Sequence, residues 1–323
     1  MTQTFFCRLL LACAAGFVVT AHGGEYPERP VRLIIPFPPG GASDFAGRLA
    51  AAGLTEILGQ QFIVDNRGGA SGVIATELAV RAEPNGYTLF LGNVNAMAIN
   101  PHIQRMKVDP IKDLTPIGAL TDIPTVIVGN AGVTGNTLKE FVDHALRSKR
   151  EIRYGTATLS SPGRFIMVAF FKSLGLNILE VPYNGAGPAT IGLLAGEVEI
   201  LPVTVASLIG LVKTGKIKAL AVTSKTRVTL VPDVPTMPEL GYPNIIMGQW
   251  NGVFGPAALP RSVTLKLHRA VTSTMKQEQI VQRLTVVGAE AFLSETPEAF
   301  AAYVRSEHAR WATIIRESGL AAK

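Results

Sequence analysis

The 323-residue sequence contains very little cysteine, since only Cys7 and Cys13 occur, both near the start. The rest of the chain therefore offers no disulfide framework and no thiol nucleophile. Charged residues make up 17% of the sequence and hydrophobic residues 47%, a balance that excludes a disordered chain. The net charge of +6 comes from scattered lysines and arginines, so we expect no nucleic-acid partner.

Long hydrophobic runs are also missing, apart from one near the start. There Arg8 precedes an apolar stretch from Leu9 to Val19, and the small residue Ala21 follows. A stretch of about eleven apolar residues is too short to span a membrane and is typical of a secretory signal. We therefore predict a signal peptide at residues 1–23 and an exported protein. A lipid anchor at Cys13, suggested by the sequence LLAC, stays as the alternative.

Catalytic and metal-binding motifs are missing as well. No G-x-x-x-x-G-K-[ST] loop occurs, and GGASGV lacks the last glycine of the nucleophile elbow G-x-S-x-G. The histidines beyond residue 23 are widely separated, without the spacing of a metal site. We expect no metal, no cofactor and no catalysis. An exported serine hydrolase using Ser43, Ser71 or Ser161 stays open, because a Ser–His–Asp triad need not be local in sequence.

What the sequence does have is a set of glycine-rich turns between strands and helices. In LIIPFPPGGASDFAGRL, residues 33–49, an apolar strand leads through prolines and glycines into a helix. Ser43 is predicted to cap this helix, and Asp44 lies in its first turn at the spacing of an ion pair with Arg48. Such a turn leaves N–H groups unpaired at the positive end of the helix dipole, which favours an anion.

The alternation of strand and helix predicts the fold class. It runs from Leu33 to Leu91 and restarts at about residue 120. This pattern predicts an α/β protein with two lobes, each a mostly parallel sheet flanked by helices. In such sheets the strand-to-helix turns share one edge, where ligands bind. We therefore expect a small anion between the lobes, held by the turns at 37–44, 68–72, 93–95, 155–163 and 183–187.

Motifs along the chain follow the order of a known family. They are PFPPGGASDFAGR, VDNRGGASGVIA, VPYNGAGPAT, PDVPTMPELGYP and WNGVFGPAALP. From Pro27 on, the chain resembles the Bug receptors, the periplasmic substrate-binding subunits of tripartite tricarboxylate transporters. The resemblance implies a type II periplasmic-binding-protein fold that closes on a small carboxylate. It also implies a periplasmic location and delivery of the ligand to membrane permease subunits.

The resemblance also implies where the lobes and the binding residues lie. Lobe 1 is predicted at residues 24–122 and 248–323, and lobe 2 at residues 123–247. The ligand-binding residues predicted from the turns and the resemblance together are Phe37, Pro39, Gly40, Gly41, Ala42, Ser43, Asp44, Ser71, Asn93, Thr156, Ala157, Ser160, Ser161, Arg164, Tyr183, Asn184 and Gly185. We expect a monomer, and a role in presenting the ligand to a sensor ectodomain stays open.

Several positions depart from the pattern of the family, among them Gly192, where the family often has an acid, and Leu201-Pro202, where a turn often ends in aspartate. Ser71, Thr158 and Ser160 stand where the family usually has glycine, and Arg164 stands where it usually has histidine. We therefore expect a pocket that differs from those of relatives, and we predict that Arg164 pairs with a second carboxylate of the ligand.

Overall fold

The computed structural model of the chain describes residues 25–320, without the side chains at positions 206 and 207. The predicted signal peptide and both cysteines lie outside the described residues. Within the described part, none of the helices combines the length and the apolar character that crossing a membrane requires.

The first sheet has six strands in the order β11-β4-β10-β3-β1-β2. They are β1 (Val31–Ile35), β2 (Phe62–Asn66), β3 (Thr88–Asn93), β4 (Leu114–Asp122), β10 (Asn251–Pro256) and β11 (Glu290–Ala291). The helices in these parts of the chain are α1 (Ala42–Leu58), α2 (Val73–Val80), α3 (Asn100–Ile103), α4 (Pro110–Asp113), α9 (Arg261–Lys276), α10 (Glu278–Val286) and α11 (Pro297–Ser318). We refer to this part as lobe 1.

The second sheet has five strands in the order β7-β6-β8-β5-β9. They are β5 (Thr125–Asn130), β6 (Ile152–Thr156), β7 (Ile178–Pro182), β8 (Ile200–Thr204) and β9 (Ile217–Val222). Between them run α5 (Leu138–Ser148), α6 (Pro162–Ser173), α7 (Ala186–Leu194) and α8 (Val205–Lys213). We refer to this part as lobe 2.

The predicted α/β class, with two sheets flanked by helices, is confirmed, but the sheets are mixed rather than mostly parallel. β1 runs parallel to β2 and β3, whereas β10 runs antiparallel to β3 and β4. In lobe 2, β5 is likewise antiparallel to β8 and β9. Both β5 and β10 enter their sheet from the other lobe. They do not follow a strand–helix–strand crossover, which is the connection that makes neighbouring strands parallel.

The core of lobe 1 covers both faces of its sheet, as the short apolar run of β1 predicts. Leu33 and Ile35 belong to the cluster that α1 and α9 complete, and Ile34 belongs to the cluster that α2 and α11 complete. This division follows from the alternation of side chains along a strand. In α11 an apolar stripe packs into the core, with Phe300 and Trp311 buried.

Two segments connect the lobes, and the side chain of Asp122 lies where these segments pass each other. It ends β4 just before the chain enters lobe 2, and its carboxylate lies so close to Gly248 on the returning segment that a Cβ there would overlap it. Among the described residues, Oδ1 of Asp122 is buried without a hydrogen-bond partner. Burial first, and then the negative charges of Glu307 and Glu290, raise the pKa of this carboxyl to about 6.

Candidate functional site

The first glycine-rich bend differs from the prediction in how its helix is capped. Helix α1 begins at Ala42 and its N-cap is Gly41, so the prediction that Ser43 caps it is wrong. The N-cap position requires an extended backbone, which Gly41 adopts with φ −91° and ψ 175°. Ser43 is the second residue of the helix, and its hydroxyl points into the protein interior. Its Oγ donates to Oδ1 of Asn251 at 3.0 Å and accepts from Nδ2 of Asn93 at 3.0 Å.

Three backbone N–H groups of this bend have no hydrogen-bond partner among the described residues. The amide of Gly40 donates to Oδ2 of Asp44 at 3.0 Å. The amides of Gly41, Ala42 and Ser43 donate no hydrogen bond to any residue that the structure describes. They lie at the positive end of a helix of 17 residues, and Gly40 and Gly41 are exposed. The bend therefore offers three donors and a favourable dipole to an anion.

Asp44 determines the shape of this bend. Its buried carboxylate accepts from the amide of Gly40, from Nε of Arg48 at 2.9 Å and from Nδ2 of Asn66 at 3.0 Å. Asn66 also donates to the carbonyl of Phe37 at 2.9 Å, which joins both ends of the bend. Burial alone would raise the pKa of Asp44, but these hydrogen bonds outweigh it and lower the pKa. The predicted ion pair between Asp44 and Arg48 is confirmed.

The second glycine-rich turn lies against the first bend. A Cβ on Gly68 or Gly72 would contact Pro38 or Pro36, so the two turns pack closely. Ser71 has φ 55°, a left-handed conformation that is uncommon for a residue with a side chain. This backbone explains why glycine suits the position. The side chain of Asn100 supports this conformation, because its Nδ2 donates to the carbonyl of Ser71 at 2.9 Å.

In the turn after β6 in lobe 2, hydroxyl side chains bond to each other and to the backbone of the same turn. Ser161 is the N-cap of α6, and Pro162 occupies the first turn of that helix. The Oγ atoms of Thr156 and Ser161 are 3.1 Å apart, and Thr156 Oγ1 also donates to the carbonyl of Thr158 at 3.0 Å. These bonds hold the backbone between Thr156 and Ser161 in one conformation.

The turn after β7 pairs with the turn after β6. The amide of Tyr183 donates to the carbonyl of Thr156 at 2.9 Å, and the amide of Gly185 donates to the carbonyl of Ala157 at 2.7 Å. Asn184 lies between these two bonds and is exposed. The structure thus brings the predicted residues of lobe 2 together in two hydrogen-bonded turns.

Arg164 is already engaged within the protein. Its Nε and Nη2 donate to the two carboxylate oxygens of Glu180 at 2.6 and 3.2 Å. Its Nη1 donates to the carbonyl of Leu159 at 3.1 Å. A ligand carboxylate would therefore meet a neutralised ion pair here, whereas the sequence suggested a free cation.

The two lobes contact each other through Ser160. Its hydroxyl donates to Oγ of Ser71 at 3.0 Å, and its carbonyl accepts from Nδ2 of Asn95 at 2.9 Å. Two of the positions that depart from the family pattern, Ser71 and Ser160, thus form one hydrogen bond between the lobes.

A cavity of about 570 Å³ lies beside this contact, between the lobes. Five of the predicted binding residues line it, and the bend at 37–44 does not. The lining residues are Ser71, Ile103, Gln104, Thr158, Leu159, Ser160, Arg164, Phe165, Pro182, Tyr183, Asn184 and Leu320. Most of the predicted site residues therefore lie in two neighbouring places, the bend and this cavity, which meet at the turn of Ser71. The other five, Asn93, Thr156, Ala157, Ser161 and Gly185, belong to neither place.

Comparison with known proteins identifies the family. Residues 46–320 match the sequence profile of the tripartite tricarboxylate transporter family receptors, TctC. The chain belongs to this family. It is 31% identical to the protein BugT of Bordetella pertussis, over 99% of this chain and 98% of BugT. The family resemblance that the motifs indicated is thereby confirmed.

Solved structures agree with this assignment. The TM-score is 0.81 for Rpa4515 of R. palustris with adipate, which is 30% identical and aligned over 93% of this chain and 100% of that one. For the periplasmic binding protein BugD the TM-score is 0.78 at 30% identity, over 92% and 100% of the two chains. For MatC of Rhodopseudomonas palustris with bound malate it is 0.76 at 29% identity, over 90% and 100%.

This TctC receptor has two residues near the bend that the sequence did not predict. Asn251, at the start of β10, accepts from Ser43, and its Nδ2 donates to Oγ1 of Thr121 at 3.1 Å. Both Asn251 and Thr121 are buried. The contact between Ser43 and Asn251 joins residues 208 positions apart, and no local motif marks Asn251 as its partner.

Proposed function

We propose that this TctC receptor captures a small carboxylate between its lobes and delivers it to the membrane permease subunits of a tripartite tricarboxylate transporter. The observation that carries the proposal is the set of unpaired amides at Gly41, Ala42 and Ser43. A carboxylate held by two or three backbone N–H groups at a helix N-terminus needs no cation, because the hydrogen bonds already favour its charge.

Two further observations support the proposal. Structural neighbours with about the same fold hold adipate and malate, both of which are small carboxylates. The contact of Ser160 with Ser71 and Asn95 shows that the turns of the two lobes reach each other, as closure over a ligand requires. We propose that the receptor is a periplasmic monomer. Presentation of the ligand to a sensor ectodomain stays a prediction.

The hydrolase alternative gains no support from these contacts. The hydroxyl groups of Ser43, Ser71 and Ser161 bond to asparagine, serine and threonine side chains. Histidine would have to accept the serine proton in a triad. The ring nitrogens of the described histidines with a hydrogen bond, His102, His268 and His308, instead contact backbone carbonyls. Turnover of a model ester by the purified chain would support the hydrolase alternative.

Thermal unfolding with a panel of acids tests the proposed function. The panel contains mono-, di- and tricarboxylates, amino acids and aromatic acids. A ligand at 100 times its Kd stabilises the folded state by about 2.7 kcal/mol, and we expect a rise in Tm of several degrees. Neutral amides of the same acids are the matched control. A panel in which no carboxylate raises Tm more than its amide would contradict the proposal.

A further inference from the structure

A charged side chain, that of Arg164, lines the cavity between the lobes. Among the described residues that line it, Arg164 alone carries a charge. Its guanidinium forms a two-pronged pair with Glu180, with both oxygens of the carboxylate used. The side chains of Arg164 and Glu180 are 17% and 21% exposed, so water screens the pair only weakly.

A second ligand carboxylate would be disfavoured beside this pair. The fork of a guanidinium matches one carboxylate in two parallel hydrogen bonds, and Glu180 already occupies that face. One N–H of Nη1 is also engaged, at the carbonyl of Leu159, so the N–H groups left over lie beside the carboxylate of Glu180. An anion entering here would have to displace Glu180 or remain next to its negative charge.

The other walls of the cavity suit an uncharged group. Ile103, Leu159, Phe165, Pro182 and Leu320 give it apolar surface, and the remaining lining residues are neutral and polar. Its volume of about 570 Å³ lies within the usual range of small-molecule pockets, about 300–1,000 Å³.

We propose that Glu180 is a specificity-determining residue, which pairs with Arg164 and thereby makes the cavity select carboxylates whose far end is uncharged. This inference rests on the proposed function, because it assumes that one carboxylate binds at the bend of Gly41 to Ser43. It adds that the ligand is a monocarboxylate with an amide, hydroxyl or apolar group at its other end.

Matched probes test the inference on the unaltered chain. Calorimetric titration compares adipate with its monoamide, which has nearly the same length and shape but lacks the second charge, and with hexanoate. We expect the monoamide to bind at least about tenfold more tightly than adipate, since a charged group without a partner is costly to bury. Adipate binding as tightly as its monoamide would overturn the inference and leave the proposed function standing.

The variant Glu180→Gln tests the role of Glu180 directly. It releases Arg164, so we expect adipate to gain about tenfold or more in affinity relative to its monoamide. Glu199→Gln is the matched control, because it breaks the pair of Arg150 and Glu199 in the same lobe and away from the cavity.

A second variant keeps the test informative if Glu180→Gln does not fold. Removing both charges, Arg164→Gln with Glu180→Gln, is expected to retain the preference of the unaltered chain for the monoamide. A gain for adipate in this double variant, or no gain in Glu180→Gln, would overturn the role given to Glu180. If neither probe nor any other carboxylate binds the unaltered chain, the proposed function fails and the inference fails with it.

Discussion

Replacing Ala42 with proline removes one of the amide donors of the bend without disturbing the fold. Ala42 is the first residue of α1, where proline is well tolerated because the N–H there has no partner within the helix. Gly41 before it is extended, with ψ 175°, which is the conformation that a following proline requires. We therefore expect the free energy of unfolding of Ala42→Pro to stay within about 1 kcal/mol of the unaltered chain.

Ligand affinity is expected to respond strongly to this substitution. A hydrogen bond to a charged group contributes about 1.5–3 kcal/mol, and one of three such donors is lost, so the Kd of a bound carboxylate should rise about tenfold to hundredfold. Calorimetric titration with the strongest binder of the acid panel measures the Kd, and urea unfolding measures the stability.

The matched control for this experiment is Glu278→Pro. Glu278 is the first residue of α10, it also follows an extended N-cap, and it lies away from the bend. We expect the control to bind the ligand as the unaltered chain does. An unchanged Kd in Ala42→Pro, or an equal rise of the Kd in the control, would contradict the role given to the amide of Ala42.

Three further predictions concern the lobe contact and two carboxylates. In a chain with Cys7 and Cys13 replaced by serine, oxidation of Ser71→Cys with Ser160→Cys should form a disulfide and slow ligand release, because the two Oγ atoms are 3.0 Å apart; failure to cross-link would contradict closure at this contact. Asp44→Asn should lower the free energy of unfolding by about 1.5–3 kcal/mol at pH 7. The lowered pKa of Asp44 means that this stabilisation is present above its unfolded pKa and is lost as the pH falls through its folded pKa, so an equal deficit at pH 7 and pH 2 in urea unfolding would count against the account. The raised pKa of Asp122, about 6 where the ordinary value is 3.8, means that the unaltered chain loses stability as the pH rises from about 3 to 7. This loss amounts to about 3 kcal/mol, and Asp122→Asn should lack it; parallel pH profiles of the two proteins would refute this role.

Local signals in the sequence predicted much of the fold correctly. The apolar run of β1 is buried on both faces, and α1 ends at Leu58 with Gly59 as its left-handed C-cap, a position where glycine is favoured. Helix α6 begins with Ser161 as its N-cap and Pro162 in its first turn, and both residue types are local signals of a helix start. In each case the determining interaction lies within a few residues of the signal.

The elements that the sequence did not predict depend on distant partners. β4 contains Pro116 and Gly118, which weaken any strand pattern, and it forms because β10 and β11 pair with it. At the bend, Ser43 matched a cap in sequence, yet its hydroxyl bonds to Asn251, 208 residues away. Arg164 looked like a free cation because Glu180, its partner, lies on the next strand of the sheet.

A crystal structure of the chain with its strongest-binding carboxylate would show whether the bend of α1 holds the ligand. We expect one carboxylate oxygen within hydrogen-bond distance, about 2.7–3.2 Å, of the amide nitrogens of Gly41, Ala42 and Ser43, with the turns of lobe 2 closed over the ligand. A ligand bound elsewhere, with those three amides facing only solvent, would contradict this expectation.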